Sequence, residues 1–220
     1  MQPAWFSSHQ PEPFTQERLF IESKLAHTQY EYIGKLIEIK KYTDQPVLEI
    51  GSGHGTFALQ LRKMGFSQYL GIDSDVNKVN FTRKAIGPYF RHQSLRETAE
   101  KHPDGFKVIF AFEKLQKVTN PYDYIQQIQS MLSNGGLFVG TTPYPFTRNI
   151  ISDPEHLHVL HPKNWKRLLH ILNFRRVQTY PMSFLPYLWK INPSLNPILP
   201  MYVPCLNMTS NTLIIAEKGN

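Results

Sequence analysis

The sequence predicts an α/β domain in which a mostly parallel β-sheet carries helices on both faces, and three observations support that expectation. Strand-like apolar runs alternate with helix-like runs from Val47 to Pro143. A glycine-rich turn, with Gly51, Gly53 and Gly55, falls between the first such strand and the helix after it. At 220 residues, 41% hydrophobic and 19% charged, the chain has the size and composition of one ordered core.

The elements follow in order. Leu19, Phe20, Leu25, Ile33, Leu36 and Ile37 recur at roughly helical spacing between 16 and 41, predicting one long or two short helices closed off by Pro46. "PVLEIG" is a short apolar strand, and "TFALQLRKMG" is a helix with Gly65 just past its end. "QYLGID" (68–73) is the next strand, followed by a helix near 75–86, strands near 89–92 and at 107–112, and a helix over 121–132. The turn "SNGG" (133–136) leads into a strand that Pro143 stops. Beyond it come a polar connector, an amphipathic helix over 162–174, a strand near 175–180 and a last strand over 211–217. The expected organisation is one domain over 1–220: an N-terminal helical cap (1–45), a core (46–145) and a C-terminal segment on the substrate side (146–220).

Composition narrows the setting. Cys205 is the single cysteine, so no intramolecular disulfide forms, and the N-terminal stretch lacks the basic and apolar regions of a signal peptide. A cytoplasmic location is expected. No apolar run reaches the length of about 18 residues needed to span a bilayer. The net charge of +7 favours anionic partners, but the densest basic stretch, 161–176, reads as the wet side of an amphipathic helix, and no nucleic-acid partner is expected.

The glycine loop narrows the function. A strand, a glycine turn and a helix N-terminus present unpaired N–H groups where a missing Cβ lets a ligand come close. The spacing departs from G-x-G-x-x-G, because Thr56 follows Gly55. Glu49, just before the loop, is out of place beside a pyrophosphate but suits a cation such as a sulfonium bearing an ammonium group.

"EIGSGHG" resembles the acidic-x-G-x-G-x-G motif of the class I methyltransferases that use S-adenosylmethionine. Asp73, in "GIDSD" and 22 residues after Gly51, stands where that family has the acid that binds the ribose hydroxyls. "MLSNGGLFVGTTP" is similar to the family's L-x-P-G-G turn, with Asn134 in place of proline. The resemblance implies a Rossmann-like, seven-stranded, mostly parallel sheet and S-adenosylmethionine as cofactor, with S-adenosylhomocysteine as product. It implies Glu49, Gly51, Gly53, Gly55 and Asp73 as cofactor-binding residues. Where the family often has an acid for the adenine amine, this chain reads "FRHQSL", which leaves Gln93 or Ser94 for that contact, and Phe112 borders the adenosine or packs in the core. "FEKLQKV" resembles the metal-holding E-x-x-E-H-V of quinone-pathway O-methyltransferases, but only Glu113 is kept, with Gln116 and Lys117 at the other positions. No metal is expected.

Three histidines, His156, His158 and His161, follow the fifth strand. A branch of the family, similar to enzymes acting on sugars and other small metabolites, has a histidine at the position of His156, which implies a general base, and a free imidazole titrates near neutrality. The competing reading is that all three satisfy hydrogen bonds in the connector. His54, within the loop, is expected to be exposed and not catalytic. The apolar stretch 181–208, broken by six prolines, is read as packing on the sheet, a lid over an apolar acceptor, a peripheral membrane contact or a homodimer contact.

The function expected is O-methylation of a small molecule or sugar-bearing acceptor, with N-methylation of a small molecule or a catalytically silent cofactor-binding protein as alternatives. An NAD-linked oxidoreductase is disfavoured by Thr56.

Overall fold

The computed structural model describes residues 16–147, 150, 153–184, 198–203 and 209–219. Helix α1 (Gln16–Leu36) and a 3-10 turn (Ile39–Tyr42) precede the sheet. They are followed by β1 (Val47–Ile50), α2 (Thr56–Lys63), β2 (Tyr69–Asp73), α3 (Val76–Ala85), β3 (Phe90–His92), α4 (Leu95–Lys101) and β4 (Phe106–Phe112). The chain continues through a second 3-10 turn (Leu115–Lys117) into α5 (Pro121–Met131), β5 (Leu132–Pro143), α6 (Pro162–Ile171), β6 (Phe174–Phe184), β7 (Ile198–Leu199) and β8 (Thr209–Lys218).

The strands form one sheet in the order β3-β2-β1-β4-β5-β8-β6-β7. The first five are mutually parallel, and β8 inserts antiparallel between β5 and β6. The sheet has eight strands where the resemblance implied seven. The additional strand is β7, two residues that pair with Ser183 and Phe184 at the outer edge. The order turns back between β1 and β4, and open α/β sheets bind ligands in the crevice at such a reversal, beyond the carboxyl ends of the strands.

Both faces are apolar because helices cover both. Along β4, Val108 and Phe110 join a core with Ile33, Phe57 and Leu61 on the α1–α2 side, whereas Ile109 and Ala111 join one with Ile125, Ile128 and Trp165 beneath α5 and α6. Trp165 is fully buried, a contribution of about 3 kcal/mol from apolar area alone.

Helix α4 was not anticipated. Its residues, "LRETAEK", carry no apolar stripe, and the helix starts on a capping box in which Ser94 Oγ accepts from Glu97 N while the Glu97 carboxylate accepts from Ser94 N. The "SNGG" turn is a bulge within β5, because pairing with β4 passes from Leu132 to Leu137. Most of 181–208 lies outside the described residues. Its described part completes β6 and adds β7, so that portion packs on the protein's own sheet.

Candidate cofactor site

The carboxyl ends of β1 and β2 hold the site together. Gly51, Gly53 and Gly55 have φ of +72°, +53° and +72°, a left-handed backbone that side chains other than glycine adopt only with strain. The three serve different ends. A Cβ on Gly55 would lie 2.4 Å from Ile86 and 3.1 Å from the Phe90 ring, so this glycine lets α2 start against the core. A Cβ on Gly53 would meet nothing nearer than the Gly51 carbonyl oxygen at 4.0 Å, so this residue faces open space. A Cβ on Gly51 would fall 1.8 Å from Lys114 Cε, because the stem of that lysine crosses directly over the loop.

Asp73 ties the loop to β2. Its Oδ2 accepts from Gly53 N at 2.9 Å and its Oδ1 accepts from Asp75 N at 2.9 Å. It is not a helix cap, because the N-cap of α3 is Asp75, whose side chain accepts from Asn77 N and Lys78 N. Asp73 is 6% exposed, and each of its oxygens, with one bond made, keeps capacity for another donor.

Glu49 does not cap the turn either. Tyr69 donates its hydroxyl proton to Glu49 Oε2 at 2.5 Å, and burial pushes the Glu49 carboxyl up to about 7 despite that bond and the nearby Lys114 charge. The Tyr69 phenol is raised well above its usual value, chiefly by burial and then by the Glu49 charge. Gln93 closes β3 with its N–H donating to the Asp73 carbonyl, and its side chain is half-buried on the β2–β3 side of the loop. Phe112, at the end of β4, stands edge-on to Phe57 with centroids 4.7 Å apart, and with Phe110 the two form an aromatic cluster at the start of α2. Glu49, the three glycines, Asp73, Gln93 and Phe112 thus gather around one strand crossover.

His156 stands apart from that group, beyond β5. Its ring is 3% exposed, its Nδ1 is 2.9 Å from the Ile150 carbonyl oxygen and its Nε2 is 3.6 Å from Asp153 Oδ2. His158 Nε2 is bonded to the Thr119 carbonyl, and His161 Nδ1 caps α6 by accepting from Lys163 N. His54 is not exposed as expected. Its side chain is 12% exposed, and its Nδ1 lies 2.9 Å from Glu22 Oε2, which links the loop to α1. The sequence pattern around His54 gives no sign of this pair, because 32 residues separate the partners.

Residues 25–179 match the family model of the methyltransferase domain. The chain belongs to this family. The chain is 28% identical over 142 residues to a ubiquinone biosynthesis O-methyltransferase of Xanthomonas euvesicatoria, a match covering 60% of this chain and 57% of the relative. A namesake from Colwellia psychrerythraea is 26% identical over 106 residues, covering 46% and 43%. The chain spans about half the length of the curated relatives it matches. Among solved structures, an S-adenosylmethionine-dependent methyltransferase from Archaeoglobus fulgidus superposes with a TM-score of 0.67 at 19% identity, covering 93% of this chain and all of that one. One from Thermotoga maritima gives 0.64 at 16%, covering 92% and 93%. These two share the fold.

S-adenosylmethionine is the cofactor that the family implies, and the residues fit it. Gly53 leaves open space over the loop, and two buried carboxylates flank it. Two neighbours escaped the sequence reading, Tyr69 and Lys114. Each lies next to a motif residue only because separate strands bring them together.

Proposed function

We propose that this chain transfers a methyl group from S-adenosylmethionine to a hydroxyl of a small molecule or a sugar-bearing acceptor. The observation that carries the reading is the pair of buried carboxylates, Glu49 and Asp73, on either side of a left-handed glycine loop at the strand crossover. A cationic cofactor with a ribose diol asks for such a site, because one acid attracts positive charge and the other accepts from hydroxyls. The names of the curated relatives favour oxygen as the acceptor atom.

When bound, S-adenosylmethionine supplies a methyl group already activated on a sulfonium. The protein's task is then to orient, to exclude water and to remove one proton. Asp73 accepts from the ribose hydroxyls, Glu49 faces the positive end, and Gln93 and Phe112 border the adenosine. His156 is the proposed proton acceptor. With Nδ1 donating to the Ile150 carbonyl, the basic nitrogen is Nε2, and Asp153 stands where it stabilises the imidazolium that results.

Calorimetric titration with S-adenosylmethionine, S-adenosylhomocysteine and NAD, on the native protein and on Asp73→Ala, tests the cofactor. Binding of the first two but not NAD, weakened at least tenfold by the substitution, is the expected result. No binding by folded native protein overturns it. Binding without transfer to any hydroxyl or amine acceptor points to a silent binding protein. For the base, His156→Gln should lower transfer at least a hundredfold with S-adenosylhomocysteine binding unchanged. An unchanged rate leaves His156 only as the pin of its loop.

A further inference from the structure

Lys114 is the residue of the cofactor site that neither the motif nor the family match assigns. It follows β4, on the side of β1 opposite to β2, and its stem runs back over Gly51. A Cβ on Gly51 would be 2.5 Å from the lysine Nζ, so the ammonium lies on the loop itself. Among the described residues its Nζ makes no hydrogen bond or ion pair. Burial holds its pKa below the ordinary lysine range, with the charges of Lys78 and Lys117 acting the same way and those of Asp73 and Glu49 opposing. A half-buried ammonium lying against a ligand loop, with no hydrogen-bond partner of its own, is placed to take an acceptor from a ligand.

Charge matching identifies that acceptor. Asp73 and Gln93 lie towards β2 and β3, so the nucleoside end belongs on that side of the loop and the amino-acid end on the β4 side, where Lys114 projects. The amino-acid end carries one ammonium and one carboxylate. Glu49 answers the first, and among the described residues Lys114 is the cation that lies on the loop without an acceptor, since Lys78 is paired with Asp75. We propose that Lys114 binds the α-carboxylate of the cofactor, and so sets the position of its amino-acid end. The inference rests on the cofactor assignment above.

The test is calorimetric and needs no acceptor. S-adenosylhomocysteine, which has the carboxylate, and 5′-methylthioadenosine, which lacks the amino-acid part, are titrated into native protein, Lys114→Met and Lys114→Arg. Loss of one charge-assisted contact predicts at least tenfold weaker S-adenosylhomocysteine binding in Lys114→Met, with recovery in Lys114→Arg and 5′-methylthioadenosine unchanged. Equal or tighter binding of S-adenosylhomocysteine by Lys114→Met overturns the proposal and makes the lysine an obstruction over the loop. Equal weakening of both compounds also overturns it, because the loop itself would have been disturbed. If native protein binds neither compound, the cofactor assignment falls and the lysine proposal with it.

Discussion

Tyr69 reaches Glu49 across the bare Cα of Gly71. Glu49 pairs in register with Gly71 in the neighbouring strand, and a Cβ there would lie 2.6 Å from the Tyr69 hydroxyl oxygen. The absence of a side chain at 71 therefore lets a phenol pass over the sheet and donate to the acid that opens the motif. This buried bond has consequences for pH.

Because burial raises the Glu49 carboxyl to about 7 in the folded protein, the folded state holds a proton that the unfolded chain loses near pH 4.5. Its contribution to stability is complete below that value and is lost as the pH rises through about 7, a change on the order of 3 kcal/mol. Glu49→Gln should flatten the fall in urea midpoint between pH 5 and 8. Tyr69→Phe removes a donor that favours the ionised form and should move the fall to higher pH.

The three loop glycines should respond unequally to alanine. Gly53→Ala meets open space and should cost about 1 kcal/mol in urea unfolding, from left-handed strain alone. Gly55→Ala adds a clash with Ile86, Phe90 and Thr82 and should cost about 1–3 kcal/mol more. Gly51→Ala meets only the flexible end of Lys114, so its stability loss should resemble that of Gly53→Ala, with the lysine stem displaced.

Glu113 has φ of +53° and a half-buried carboxylate that accepts from Thr141 Oγ1 at 2.7 Å, Asn211 Nδ2 at 3.0 Å and Gln116 Nε2 at 3.2 Å. Three donors converge on it, so an amide in its place must turn its own N–H groups towards donors. Glu113→Gln should destabilise the fold by about 1–3 kcal/mol, read from the urea midpoint.

The Glu22–His54 contact fastens α1 to the glycine loop. His54→Ala should raise hydrogen exchange in α1 and in residues 51–55 while leaving β4 and β5 protected. Uniform exchange across the sheet would show that the contact supports the whole fold instead.

The alternation of elements from Val47 to Pro143 was legible because β1, β2, β4 and β5 are mostly apolar and the breaks between them carry glycine, proline or a cap. Helix α4 was not, because its stability comes from the Ser94–Glu97 box rather than from periodicity. The two-residue β7 was not either, since it has no local signal and pairs only because β6 presents an edge.

For the candidate site, the sequence by itself placed the glycine loop between β1 and α2 and put Glu49 in β1 and Asp73 at the end of β2, because a strand–turn–helix depends on residue types at short spacing. It could not decide that Asp73 would anchor the loop rather than cap α3, that Tyr69 would bond to Glu49, or that Lys114 would lie over Gly51. Those contacts join β1, β2 and the end of β4. They exist only once the sheet sets these strands side by side, which is why tertiary structure alone decided the charges around the loop.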